Sequence, residues 1–260
     1  MIKEFLFKDC LSPKSEVKFF CIFSFLKTRA LRFELFLFPK TEEKMTKNQK
    51  SIDTKKLVGI SLFCALAYGV TFVFRIPVMF LTFDAKDTII TIAALIYGPV
   101  SGIAISFVTA FIELITISGT GVYGFIMNFA SSAAFSATAG LIYKHKRTAS
   151  GAIISFYAAS IVMVTVMMLL NMFVTPYYMG VTTQTVIDLI PTLFFPFNLA
   201  KALLNSALAM ILYKPVTVAM RRAGLLKGQG KMQINRSFAA IYITAAVTLA
   251  VAIVLFVILT

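Results

Sequence analysis

Tryptophan is absent from the 260 residues, histidine occurs once and cysteine three times. Three cysteines (Cys10, Cys21 and Cys64) with no paired spacing exclude a disulfide scaffold and a zinc ribbon. The single histidine, His145, sits inside a basic cluster, which argues against His-based catalysis and His-ligated metal. Charge is scarce as well. Asp, Glu, Lys and Arg make up 14% of the chain, where a soluble domain carries about a quarter. With 59% hydrophobic residues, this excludes a disordered protein and argues against a water-soluble enzyme. The 25 basic side chains outnumber the 11 acidic ones, and a net charge of +14 would suit nucleic acid. Yet the basic residues lie mainly in the first fifty positions and in short gaps between apolar runs, which is the distribution of a membrane protein. The expected class is an all-α, polytopic membrane protein, with no nucleic-acid partner.

The chain divides by composition into four parts. Residues 1–54 form a basic N-terminal extension whose Phe-rich patches are broken by charge every few residues. None reaches the ~20 apolar residues of a spanning helix, and a translation start at Met45 would remove most of the extension. Residues 55–215 hold six apolar segments, 216–236 form a basic linker, and 237–260 form one further transmembrane run. The six segments are Leu57 to Phe74, Thr88 to Tyr97, Val100 to Ile117, Tyr123 to Tyr143, Gly151 to Val174 and Pro191 to Tyr213. The expected architecture is thus a six-helix bundle plus an extra C-terminal transmembrane helix. The second segment is short: ten residues span only ~15 Å. Its outer end must therefore be covered by protein or line a wet cavity. The basic N-terminal segment, the Lys144 to Arg147 gap and the Lys214 to Arg236 tail fall on one face, which the positive-inside rule makes cytoplasmic. This places the chain in the cytoplasmic membrane with its N-terminus inside.

Polar side chains inside a bilayer are costly and mark function by default. Glu113, Asn128 and Asn171 each lie near the outer end of their segments, as do Asn198, Lys201 and Asn205, which occupy i, i+3 and i+7 of one helical face. Asp84, Lys86 and Asp87 sit at the same level in the loop at 75–87. These groups do not cross the membrane, so they describe an outward-facing pocket rather than a channel. Tyr123, Phe125, Tyr177, Tyr178, Phe194, Phe195 and Phe197 surround that level, and aromatic walls with a few convergent polar groups suit a small hydrogen-bonding ligand. The structural alternatives are a buried Glu113–Lys201 ion pair and an interfacial aromatic belt. In the first helix Ser61, Ala65 and Gly69 repeat every four residues, a small-residue stripe that suits either internal packing or docking of a separate membrane subunit.

Other patterns carry nothing. Gly119 to Gly124 matches G-x-G-x-x-G but joins two membrane helices with no preceding strand, and the Gly224 to Lys231 stretch lacks phosphate-loop spacing. Without a nucleotide site the chain cannot power transport alone.

Six passes, a charged loop after the first, a short second helix before Tyr97-Gly98-Pro99 and the stripe in helix one resemble the substrate-binding S components of energy-coupling factor (ECF) vitamin transporters. Leu170-Asn171, Thr175-Pro176-Tyr177-Tyr178-Met179-Gly180 and Pro196-Phe197-Asn198-Leu199-Ala200-Lys201 are similar to the riboflavin-binding branch. The resemblance covers roughly residues 55 to 215. It implies that Asn171, Asn198 and Lys201 contact the flavin, with Asn128 and Asp84 as further contacts. It also implies an ECF transmembrane coupling subunit and two ATPase subunits as partners. Riboflavin would be cargo, captured from outside, with no cofactor, no metal and no catalytic role. The alternatives are an S component for a different vitamin, a membrane-embedded enzyme using Glu113 with Asp84 or Asp87, and a structural membrane module. The N-terminal extension and the last apolar run lie outside the family pattern.

Overall fold

The computed structural model describes residues 54–78, 81–226 and 237–259. The N-terminal extension and the start at Met45 fall outside the described residues. Eight α-helices and one hairpin follow in order: α1 (Thr54–Val73), β1 (Arg75–Val78), β2 (Leu81–Asp84), α2 (Lys86–Tyr97), α3 (Pro99–Thr116), α4 (Gly121–His145), α5 (Ala149–Met179), α6 (Thr183–Leu189), α7 (Phe195–Arg222) and α8 (Ser237–Leu259). A π turn, Ile190–Phe194, joins α6 to α7. Among the described residues, six helical stretches are long and apolar enough to cross a membrane, one of them the continuous 40 residues from Thr183 to Arg222. Between the first and second of these spans, α2 has only 12 residues.

The apolar runs become helices because a bilayer leaves no water to satisfy backbone N–H and C=O groups. Close helix crossings depend on small residues, and one lies where α2, α3 and α4 meet. A side chain at Gly102 would stand 2.7 Å from the Ala94 Cβ and one at Gly140 would stand 3.3 Å from it. The shared core runs through these helices and α1, α5, α7 and α8, with Phe63, Ile92, Ile105, Phe135, Phe156 and Met210 among its buried members.

Several expected boundaries move. The fifth helix passes through Pro176 to Met179, where it was expected to stop. A proline this near the C-terminus removes one helical N–H, and Gly180, at φ 65°, caps the end by donating from its N–H to the Pro176 carbonyl at 2.9 Å. Asn171 therefore lies two turns from the helix end rather than one. The expected domain boundary at 215/216 falls inside α7, which continues past Pro215 to Arg222, so the basic linker starts later than composition suggests. The expected loop at 75–87 is an antiparallel hairpin pairing Arg75 with Asp84 and Ile76 with Phe83, and α2 begins at Lys86 rather than Thr88. The mixed segment after Gly180 is the short helix α6. Pro191, inside the π turn that follows it, and Pro196, in the first turn of α7, have no N–H to give.

The additional C-terminal helix, α8, packs along α7 and, less extensively, α5. Ile241, Ala245, Thr248 and Ala252 form its buried stripe. The Tyr157 and Thr248 hydroxyls lie 2.6 Å apart, fixing α8 to α5.

Candidate functional site

A cavity of about 340 Å³ opens at the end of the bundle that carries the hairpin. Six elements wall it, with α1 supplying Thr71. The hairpin supplies Leu81, Thr82 and Asp84; α3 supplies Glu113; α4 supplies Phe125, Asn128 and Ser131; α5 supplies Asn171 and Tyr178; α7 supplies Phe197, Asn198 and Lys201. Its volume lies within the roughly 300–1,000 Å³ that small ligands occupy. Among the described residues, no cluster of three or more His, Cys, Asp or Glu side chains could hold a metal ion.

Four acidic residues follow residue 56, and three of them, Asp84, Asp87 and Glu113, are buried here. Lys86 and Lys201 are buried with them. Lys201 Nζ donates to Asp84 Oδ2 at 3.0 Å. Lys86 Nζ lies 2.7 and 2.9 Å from the two Glu113 oxygens and 3.7 Å from Asp84 Oδ2. Buried charges persist only when paired and hydrogen-bonded, and removing one partner is strongly destabilising. Burial by itself would raise the pKa of Asp84, which stands in β2 outside the spanning helices. The charges of Lys201 and Lys86 outweigh that effect and hold its carboxyl below the usual carboxylate range.

The alternative of a Glu113–Lys201 ion pair does not form. Because α2 starts two residues earlier than expected, Lys86 enters the cluster and takes Glu113, leaving Lys201 to Asp84. Asn128 Nδ2 and Thr71 Oγ1 also donate to Glu113, at 3.1 and 3.3 Å, so that carboxylate lines the cavity with both oxygens already engaged. Asp84 differs: its Oδ1 is buried and without a hydrogen bond among the described residues, and so is the hydroxyl of Ser131. Both residues line the cavity.

The three asparagines of α5 and α7 are used in different ways. Asn171 Nδ2 donates to the Met167 carbonyl at 2.8 Å and its Oδ1 accepts from Thr175 at 3.0 Å. Asn198 Nδ2 donates to the Phe194 carbonyl at 2.8 Å, at the end of the π turn. Asn205 lies outside the cavity lining. Its amide ties α7 to the start of α2, accepting from Thr88 N–H and hydroxyl and donating to the carbonyls of Asp84 and Lys201. Asp87 accepts from Ser132 Oγ beneath the cavity.

Six of the seven expected site residues, Asn171, Asn198, Lys201, Asn128, Asp84 and Glu113, line this one cavity; Tyr123 does not. Tyr123 sits in the first turn of α4 and is 44% exposed. Of the other aromatics, Phe125, Tyr178 and Phe197 wall the space, whereas Tyr177 and Phe195 are exposed. Thr82 and Ser131 were not anticipated. Ser131 stands three residues after Asn128, on the same helical face, and that spacing could have found it. On α1, Ser61 and Ala65 are exposed and Gly69 is half-buried with open space around its Cα, while Phe63, Ala67 and Thr71 face the bundle. The small-residue stripe is thus turned outward.

The fold and the walled cavity together are those of a membrane protein that receives a small guest, and the comparisons give that class its family. Residues 55–213 match the family model "ECF transporter, substrate-specific component", and the chain belongs to that family of multi-pass membrane proteins. It is 32% identical over 177 residues to the riboflavin transporter RibU of Staphylococcus aureus (strain TCH60), covering 65% of this chain and 93% of that protein. A solved structure described as "Structure and mechanism of the S component of a bacterial ECF transporter" superposes with a TM-score of 0.56 at 32% identity, covering 65% of this chain and 99% of that one. Helix α8 begins beyond the last matched residue of the family model.

Proposed function

We propose that this chain captures riboflavin from outside the cell and holds it in the hairpin-end cavity for ATP-driven uptake by partner subunits. The observation that carries the reading is the cavity itself. It joins flat apolar walls (Phe125, Tyr178, Phe197) to the polar groups of Asn198, Lys201 and Asp84, in a chain 32% identical to a riboflavin transporter. An isoalloxazine ring fits between aromatic and apolar surfaces, and the hydroxyls and imide N–H of riboflavin can donate to the unpaired oxygen of Asp84. Asn171, Asn128 and Glu113 support this first rank: Asn171 through its lining position, and the other two by holding each other and Lys86 in place.

The basic residues at Lys144 to Arg147 and at Arg221 and Arg222 support a topology with the N-terminus in the cytoplasm of the cell membrane and the cavity facing out. The outward stripe Ser61, Ala65 and Gly69 supports docking of a transmembrane coupling subunit on α1, which two ATPase subunits would drive. In this reading riboflavin is cargo. No cofactor and no catalytic step are assigned, since the carboxylates of Asp84 and Glu113 are held by lysines.

The test is purification of the full chain in detergent. Co-purifying yellow flavin, and saturable quenching of riboflavin fluorescence on titration, are the expected results. A colourless protein that leaves riboflavin fluorescence unchanged while retaining another vitamin would overturn riboflavin as cargo.

A further inference from the structure

Helix α8 lies beyond the family match, yet it is joined to the wall of the cavity. Its buried residues, Ile241, Ala245, Thr248 and Ala252, follow the helical repeat and seat it on α7 and α5. One turn further on, Phe256 meets Phe83 of β2 edge-on, with ring centroids 5.8 Å apart and an interplanar angle of 69°. Phe83 is itself only 6% exposed and packs with Phe197, Leu81 and Leu204.

The pleat of β2 makes this contact consequential. Successive side chains of a strand point to opposite faces. Thr82 and Asp84 line the cavity, with Leu81 at the strand's start, and Phe83 is absent from its lining. Thus Phe83 presses outward on α8 while its neighbour reaches inward to Lys201. A two-stranded hairpin is marginal on its own and keeps its place only by packing against something.

We infer that α8 braces the hairpin from behind: Phe256, bearing on Phe83, holds β2 where Asp84 reaches Lys201, and so governs how fast a guest enters and leaves the cavity. Phe256 is a positioning residue, outside the cavity and touching no ligand. The inference rests on the cavity being the ligand site, and its test separates the two.

Riboflavin dissociation from the full chain, followed by fluorescence recovery after dilution, is expected to be threefold to tenfold faster in Phe256→Ala. Phe256→Tyr, which keeps the ring, restores the original rate. Val254→Ala, on a 58% exposed position of the same helix, leaves the rate unchanged. Unaltered dissociation in Phe256→Ala overturns the brace, and so does equal acceleration in Phe256→Tyr. If the original chain binds no flavin, the functional reading has failed while the brace is still decided by hydrogen exchange of the amides at 75, 76, 78 and 81–84, which needs no ligand. Faster exchange in Phe256→Ala than in the original chain or Phe256→Tyr supports it, and equal exchange overturns it.

Discussion

The hairpin half and the basic half of the bundle are both well buried, but they satisfy their polar groups with different chemistry. Towards the basic end, Ser155, Ser160 and Ser106 donate to carbonyls three or four residues earlier in their own helices. Such bonds close locally and add little, and the bonds that do cross helices there, Ser160 with Ser206 and Tyr143 with Tyr213, join uncharged hydroxyls. At the hairpin end the bonds are long-range: Lys201 to Asp84 and Thr88 to Asn205 each bridge 117 positions, and Lys86 to Glu113 bridges 27. One half is therefore held by the shape of Phe63, Phe135 and Phe156, and the other by pairing that fails as a unit when a partner is lost.

The contrast can be broken from the hairpin side first. Lys201→Ala leaves the Asp84 carboxylate buried beside Lys86 alone, and should lower stability by about 3–5 kcal/mol. Riboflavin affinity should fall at least tenfold, read by fluorescence titration, with membrane insertion retained. Unchanged affinity would place the ligand elsewhere. Glu113→Gln removes charge but keeps hydrogen-bonding capacity, so a cost of about 1–3 kcal/mol in thermal unfolding and a severalfold loss of affinity are expected. Replacing the pair together, Lys86→Met with Glu113→Leu, should recover most of the stability and none of the affinity.

The basic side should respond to volume alone. Phe156→Leu is expected to lower stability by about 1–2 kcal/mol, with riboflavin titration curves superimposable on the original. Ser106→Ala should change stability by only a few tenths of a kcal/mol and affinity not at all. If either shifted binding severalfold, the two halves would be mechanically coupled. On Asp84's account, acidity should matter only at the extreme. Its folded-state pKa lies below the unfolded value of ~3.9, so its stabilising pairing is complete above that value and is lost as pH falls through the folded value. Titrations between pH 5 and 8 should therefore agree.

Much of this could be read from the chain because charge is so rare in it. Apolar runs of eighteen residues or more declare themselves, and an Asn198 or Lys201 within one has few structural excuses. What failed were features set by distant partners. The segments RIPV and LTFD carry no strand signal strong enough to survive the proline at 77, and only their mutual pairing, with Phe83 packed behind it, makes them a hairpin. The register of the charges failed for the same reason: Lys86 was visible, but whether it met Glu113 depended on where α2 began. Prolines at 176 and 215 mark helix ends in water, yet here the helices run three and seven residues beyond them.

The brevity of α2 has a consequence for delivery. Its 12 residues rise ~18 Å, while the hydrocarbon slab around a bundle of this kind is ~30 Å thick. Lys86 therefore stands roughly 12 Å beneath the level at which full-length helices emerge. Under the proposed function, a guest held by Asp84 and Lys201, whose cluster Lys86 joins, would begin its journey from below that level rather than from the surface.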